Sequence, residues 1–209
     1  MYDLALLFII IGAVFDFFDG MSARLLGVSS PIGKELDSLA DVVTFGVAPA
    51  SMVFSVLCDL NASNYLPDPI DDIIPFTAFI IAAASALRLA KFNLDERQSL
   101  GFIGLPTPAN ALFWGSLIVG GKDALAECHW SAICIILLMF VMSWLLIAEI
   151  PMFSLKFKHW NWSENKLRWS FIISCIPLFM IFQLAAFAVI IAWYVVLSVA
   201  SAKKSNQSV

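Results

Sequence analysis

Long apolar stretches alternate with short polar ones along the whole chain. Residues 4–15 and 42–57, for example, contain no charged side chain. A helix needs about 20 apolar residues to cross a hydrocarbon core of ~30 Å, so such stretches predict membrane-spanning helices. The pattern predicts helices over residues 3–26, 34–58, 73–94, 106–120 and 130–150. The fourth is short for a full crossing, and we expect its ends to extend into the adjoining loops.

The last apolar tract covers residues 169–202 and could hold one helix or two. A single helix of this length would measure about 50 Å, which is too long for one crossing. We therefore divide it near Gln183 into two helices, although no strong turn residue marks the break. This division makes seven spans.

The basic residues support seven spans independently. With that count, 11 of the 12 Lys and Arg residues fall on one side of the membrane, and only Lys122 falls on the other. The positive-inside rule makes the basic side cytoplasmic. The N-terminus is then expected outside, and residues 203–209 form a polar cytoplasmic tail. Six spans would place that basic tail outside.

The composition agrees with a membrane protein. The chain has 209 residues, of which 61% are hydrophobic and 13% are charged, whereas soluble domains average about 25% charged residues. We predict an all-α fold, a polytopic membrane helical bundle that forms one domain over residues 1–209. Membrane lipids are expected partners, and nucleic acid is not.

A short segment near the N-terminus holds four aspartates. Asp16 and Asp19 are three residues apart, and Asp37 and Asp41 are four apart, so on helices each pair would share one face. Residues 25–33 between the pairs contain Gly, Ser and Pro, which predict a turn. Two helices joined by this turn would run antiparallel, and their acidic faces could meet.

Four converging carboxylates repel one another, and each costs roughly 2.5 kcal/mol or more near the centre of a membrane helix. Arg24 supplies one positive charge, which is too little to balance them. Divalent cations with oxygen ligands are the natural complement, so we expect Mg²⁺ or Mn²⁺, and two ions rather than one. The alternative is four solvated aspartates at helix ends.

From Asp16 to Asp41 the segment reads D-x-x-D-G-x-x-A-R-x8-G-x3-D-x3-D. This pattern resembles the signature of the CDP-alcohol phosphatidyltransferases, integral membrane enzymes of phospholipid synthesis. The resemblance implies that the metal ligands are Asp16, Asp19, Asp37 and Asp41, and that Asp41 is also the catalytic base. It implies nucleotide, phosphate or diphosphate contacts at Gly20, Ala23, Arg24 and Gly33. For the three small residues, the alternative is helix packing in the bilayer.

Three further stretches resemble the bacterial and archaeal phosphatidylserine synthases of this family. They are VVTFGVAPA at 42–50, ALRLAKFN at 86–93 and GFIGLPTPANA at 101–111. Ser38 stands where glycerophosphate-transferring relatives usually have proline. The resemblance implies transfer of the phosphatidyl group from CDP-diacylglycerol to L-serine with release of CMP, by a homodimer in a bacterial or archaeal cell membrane. The distribution of the basic residues predicts that the site faces the cytoplasm. Two alternatives are another acceptor, such as glycerol phosphate or an inositol phosphate, and a non-catalytic membrane fragment.

Four more polar residues are candidate substrate contacts. Arg88 and Lys91 lie three residues apart at the predicted cytoplasmic end of the third helix, so they would share a face. They could form a cationic wall for the serine carboxylate or a substrate phosphate, and the alternative is positive-inside anchoring. Asn93 would add a polar contact. Lys34 would meet lipid phosphates or headgroups, or extend to the membrane interface.

The start of the chain departs from the family pattern. Relatives usually carry another membrane helix before the signature helix, whereas here Met1 lies almost at its beginning. We expect an eight-span parent without its first span, whose site would lack one wall.

Overall fold

The structure is a computed structural model that describes residues 1–28, 30–61, 73–94, 102–153 and 165–206. Across these residues the fold is helical, as the apolar pattern predicts, with one two-stranded antiparallel ribbon. Much of the predicted loops at 59–72, 95–105 and 151–168, and the end of the predicted tail, lie outside the described residues.

The α-helices are numbered here in chain order. They are α1 (Tyr2–Leu26), α2 (Pro31–Asp41), α3 (Ala48–Asn61), α4 (Ile80–Leu94), α5 (Thr107–Gly120), α6 (Lys122–Glu127), α7 (Ser131–Ile147), α8 (Lys166–Phe182) and α9 (Ala186–Asn206). A π-helical segment (Val42–Val47) joins α2 to α3, and 3₁₀ turns precede α4 (Ile74–Phe79) and α9 (Gln183–Ala185). The strands are β1 (Phe102–Ile103) and β2 (Pro151–Met152).

The predicted turn after the first helix is confirmed. Helix α1 ends at Gly27, whose φ of 63° is the left-handed conformation that glycine adopts without strain. Helix α2 then begins at Pro31, with the hydroxyl of Ser30 accepting a hydrogen bond from the Gly33 N–H at 3.0 Å. The second helix therefore starts three residues earlier than the apolar pattern alone predicts, because a serine cap followed by proline is a helix start.

The second predicted helix is continuous but irregular. The π-helical segment begins directly after Asp41, inside a helical stretch that runs from Pro31 to Leu60. Two glycines allow close packing here. A Cβ on Gly12 of α1 would lie 2.6 Å from Thr44 Cγ2, and one on Gly46 would lie 3.1 Å from Ser85 Cβ of α4. The segment is thus held between α1 and α4, and this contact places the end of α2.

The predicted break near Gln183 is confirmed. Gln183 has φ 45° and ψ −111°, outside any helical conformation. Helices α8 and α9 fold back on each other from this point, since the Trp193 Nε1–H donates to Ser174 Oγ at 3.1 Å. The tip of this hairpin packs on the end of α5, where Ser116 Oγ donates to the Leu184 carbonyl at 2.5 Å.

Helix lengths and composition identify a polytopic membrane protein. Within the described residues, four stretches are long and apolar enough to span a membrane, namely Tyr2–Leu26, Pro31–Leu60, Ile74–Leu94 and Lys166–Ser201. The last contains the hairpin, and Ser131–Ile147 is a shorter apolar helix. The largest fully buried side chains include Trp114, Phe45 and Ile81, so the core lies where α5, the π-helical segment and α4 meet. The seven-crossing topology stays a prediction.

Candidate functional site

Three of the four predicted aspartates meet in space. Asp16 lies on α1, while Asp37 and Asp41 lie one turn apart on α2. One carboxylate oxygen from each lies within 4.8 Å of the other two. Asp16 and Asp41 are partly buried, and Asp37 is exposed. We call these residues the aspartate triad; the antiparallel arrangement set by the turn after α1 brings them together.

The triad fits a hard divalent cation. Carboxylate oxygens are the ligands that Mg²⁺ and Mn²⁺ prefer. Neighbouring oxygens on one octahedral Mg²⁺, each at about 2.1 Å from the ion, lie about 3 Å apart, so movements of about 1 Å or less by each carboxylate would suffice. Two described basic side chains make their hydrogen bonds elsewhere: the Lys34 ammonium donates to the Asn93 carbonyl, and the Arg88 Nε–H donates to the Leu105 carbonyl.

A cleft of about 970 Å³ opens beside the triad. Its lining comes from the end of α1, the turn and α2: Asp19, Gly20, Ala23, Val28, Ser30, Gly33, Lys34, Leu36, Asp37 and Ala40. Asp37 therefore belongs to both the cleft and the triad, whereas Asp19 lies in the cleft wall and outside the triad. The volume suits a drug-sized or nucleotide-sized ligand.

The small residues of the signature differ in their surroundings. A Cβ on Gly20 would meet no atom of the described residues within 4 Å. Close packing against another described helix therefore does not explain this glycine, which lies in the lining of the cleft. Gly33 is different, since a Cβ there would lie 2.9 Å from the Ser30 hydroxyl that caps its own helix. Ala23 lines the cleft, while Arg24 is exposed in the last turn of α1 and is not part of the lining.

Lys34 and Asn93 belong to one hydrogen-bonded group that joins α2 to the end of α4. The Asn93 side-chain amide donates to Ser38 Oγ at 2.9 Å, and Ser38 Oγ donates to the Lys34 carbonyl at 3.1 Å. The Lys34 ammonium in turn donates to the Asn93 carbonyl at 3.3 Å. Of these residues, only Lys34 also lines the cleft.

Arg88 and Lys91 line a different space from the cleft. Arg88 is 6% exposed, and its Nε–H donates to the Leu105 carbonyl at 2.8 Å. Its guanidinium also lies 5.4 Å from the centre of the Phe92 ring. Both basic residues border a cavity of only about 30 Å³, together with residues at the end of α7 such as Glu149. The buried position shows that Arg88 does more than anchor a helix end at the membrane surface.

Sequence reasoning missed two features of the site. The π-helical segment directly follows Asp41 and leaves no signal in residue type, although Gly46 within it marks a close approach. The sequence comparison uses Ser38 only as the residue that replaces a proline of some relatives. It does not predict the hydrogen bond that Ser38 accepts from Asn93. The signal that could have suggested this bond is the serine directly after Asp37, together with the polar Asn93 in the last turn of α4.

Helices long and apolar enough to span a membrane define an integral membrane protein, and the aspartate triad beside the cleft is a candidate site for a cation. Comparison with known proteins identifies the family. The chain belongs to the CDP-alcohol phosphatidyltransferase family, whose model matches residues 1–119. The matched region contains the triad, the cleft and the close helix contacts around them.

Several curated proteins are similar to this part of the chain. A CDP-diacylglycerol–serine O-phosphatidyltransferase of Bacillus subtilis is 43% identical over 108 residues, which cover 50% of this chain and 54% of that protein. A protein of the same name from Methanocaldococcus jannaschii is 41% identical over 112 residues, covering 54% and 47%. An archaetidylserine synthase of Methanothermobacter thermautotrophicus is 34% identical over 119 residues, covering 56% and 47%. The matches thus span about half the length of these relatives.

Proposed function

We propose that this protein is a phosphatidylserine synthase, which transfers the phosphatidyl group from CDP-diacylglycerol to the hydroxyl of L-serine and releases CMP. The observation that carries the proposal is the aspartate triad at the mouth of a nucleotide-sized cleft. The relatives named above are serine-transferring synthases, and this supports serine as the acceptor.

The triad would hold Mg²⁺ or Mn²⁺ through Asp16, Asp37 and Asp41. When bound, such ions neutralise the diphosphate and favour departure of the nucleotide. Asp19 stands in the wall of the cleft, on the same helix as Asp16 and one turn further along. We assign Asp19 as a ligand of a second cation in the same site, since two cations are expected from the sequence.

Asp41 is assigned the role of base. Its carboxylate would accept the proton of the serine hydroxyl as the hydroxyl oxygen forms a bond to the lipid-side phosphorus. The bond between that phosphorus and the CMP oxygen breaks, and CMP leaves with the electron pair. Asp41 is partly buried, which limits the contact of its carboxylate with bulk water. General-base catalysis of this kind contributes about 10²- to 10⁴-fold in rate.

The cleft residues would receive the nucleotide half of the lipid. Gly20 leaves open space above α1, and Ala23 adds only a methyl group on the same wall. Lys34 places a positive charge at the edge of the cleft, where it suits a phosphate. Arg24 is exposed near the turn and would contact a phosphate only from outside the cleft.

The acceptor and the metal are tested together in a membrane assay. Purified protein in vesicles that contain CDP-diacylglycerol should release CMP only when L-serine and Mg²⁺ or Mn²⁺ are both present. Release that depends on glycerol phosphate or an inositol phosphate and ignores serine would overturn serine as the acceptor. No release with any acceptor, from protein that still binds CDP, would support the non-catalytic alternative.

We further propose that the site faces the cytoplasm of a bacterial or archaeal cell and that the protein is a homodimer. The placement of the basic residues supports the first proposal, since the triad lies near the end of α1 that carries Arg24. Labelling of a cysteine introduced at exposed Leu25 should occur only from the cytoplasmic side. Light scattering of the detergent-solubilised protein would test the dimer.

A further inference from the structure

Helix α2 carries two of the three triad residues, yet none of its residues is buried. Packing fixes this helix only at its C-terminal end, where it continues into the π-helical segment; Ser38 and Asp41 are partly buried and its other residues are exposed. The side chain of each residue points about 100° away from that of the next, so even a partial rotation would move both carboxylates away from Asp16. A contact in the middle of α2, away from its packed end, would therefore help to hold Asp37 and Asp41 in register.

One hydrogen bond between Asn93 and Ser38 makes such a contact. Ser38 directly follows Asp37 and lies three residues before Asp41, so a bond at Ser38 acts between the two ligands. Its hydroxyl accepts from Asn93 Nδ2 at 2.9 Å and donates to the Lys34 carbonyl at 3.1 Å. Both the donor and the acceptor capacity of this hydroxyl are therefore used.

Asn93, the donor of this bond, belongs to a helix that is packed in the core. Asn93 sits in the last turn of α4, a helix whose earlier turns are buried, including Ile81 and Leu89. Asn93 and Ser38 are both partly buried, which strengthens their bond relative to one in open water. The packed helix α4 thus contacts α2 through the Asn93 side-chain amide, and the Lys34 ammonium adds a second contact by donating to the Asn93 carbonyl.

We propose that Asn93 is a positioning residue that sets the rotation of α2 through Ser38, and thereby the distance of Asp37 and Asp41 from Asp16. Asn93 does not contact the cation in this arrangement. The proposal rests on the metal site of the proposed function, but not on the identity of the acceptor alcohol.

The test measures metal affinity without turnover. Purified protein is titrated with Mn²⁺, and free Mn²⁺ is followed by electron paramagnetic resonance. Asn93→Leu keeps the approximate size of the side chain and removes its amide, while Ser38→Ala removes the hydroxyl. Each is expected to weaken Mn²⁺ binding about tenfold, the lower end of the usual effect for a residue that supports a metal ligand. Ser38→Thr keeps the hydroxyl and should stay within about twofold of the wild type.

The double variant and a distant control separate positioning from general damage. Asn93→Leu combined with Ser38→Ala should bind Mn²⁺ about as well as either single variant, because both remove the same bond. Ser174→Ala breaks the bond to Trp193 in the α8–α9 hairpin and should leave Mn²⁺ affinity unchanged. Wild-type affinity in both single variants, additive losses in the double variant, or an equal loss in Ser174→Ala would overturn the proposal.

Failure of the proposed function gives a different result. If the wild type binds Mn²⁺ but releases no CMP with serine, the enzyme assignment fails and the role of Asn93 is still decided by the titrations. If serine-dependent release is normal while Asn93→Leu and Ser38→Ala keep full Mn²⁺ affinity, the positioning role fails alone.

Discussion

Substitution of Gly20 by alanine separates ligand binding from folding. A Cβ at this position would meet no atom of the described residues within 4 Å, so the substitution should cause no clash with them. Alanine favours a helix interior over glycine by up to about 1 kcal/mol. We therefore expect Gly20→Ala to leave thermal stability unchanged or slightly raised.

Ligand affinity should move in the opposite direction. If the nucleotide lies against the backbone of α1 at Gly20, the added methyl group enters the space that the ligand fills. Overpacking of a close contact costs roughly 1 to 3 kcal/mol, which corresponds to about 5- to 150-fold in the dissociation constant. Calorimetric titration of the detergent-solubilised protein with CDP, in the presence of Mg²⁺, measures this loss directly.

Gly46→Ala is the matched control. There a Cβ would lie 3.1 Å from Ser85 Cβ and 3.4 Å from Ala82 Cα, so the same methyl group should strain the packing of two helices and lower the melting temperature. Gly20→Ala with wild-type CDP affinity would refute the placement of the nucleotide. A clear loss of stability in Gly20→Ala would instead show that this glycine serves packing.

Three other outcomes follow from the structure. Asp41→Asn should reduce serine-dependent CMP release at least about 100-fold while CDP binding is retained, and normal turnover would remove the assignment as base. Arg88→Leu should lower the free energy of unfolding by about 1.5 to 3 kcal/mol, because the charged donor to the Leu105 carbonyl is lost. An unchanged melting temperature together with a raised KM for serine would instead indicate that Arg88 contacts the substrate. Gln183→Gly should raise the melting temperature, since glycine adopts φ 45° without strain, whereas Gln183→Val should lower it.

Helix positions could be predicted because a membrane fixes both length and polarity. The pattern predicts a first helix over residues 3–26, and α1 runs from Tyr2 to Leu26. The break at Gln183 followed from length alone, since one helix over the last tract would be longer than the bilayer is thick. The aspartates could be brought together for a similar reason, because a glycine and a serine–proline cap determine a tight antiparallel turn.

The roles of the basic residues could not be predicted in this way. Three-residue spacing places Arg88 and Lys91 on one face, but it does not say whether that face meets a ligand, the membrane surface or another segment of the chain. In the structure the guanidinium of Arg88 meets the carbonyl of Leu105, which precedes α5. This contact depends on tertiary packing between segments that local patterns do not relate.

The two aspartates of α1 show how one helix can serve two parts of a site. Asp16 and Asp19 are three residues apart, so their side chains differ in direction by about 60° around the helix axis. The structure uses this difference by placing Asp16 in the triad and Asp19 in the wall of the cleft. A spacing of four would turn the second carboxylate to the other side of the first, away from its present direction.

Asp37 belongs both to the triad and to the lining of the cleft. Loss of its carboxylate should therefore weaken the binding of the cation and of the nucleotide. Loss of the Asp16 carboxylate should act mainly on the binding of the cation. Parallel Mn²⁺ and CDP titrations of Asp37→Asn and Asp16→Asn measure this difference, and equal losses in the two variants would contradict it.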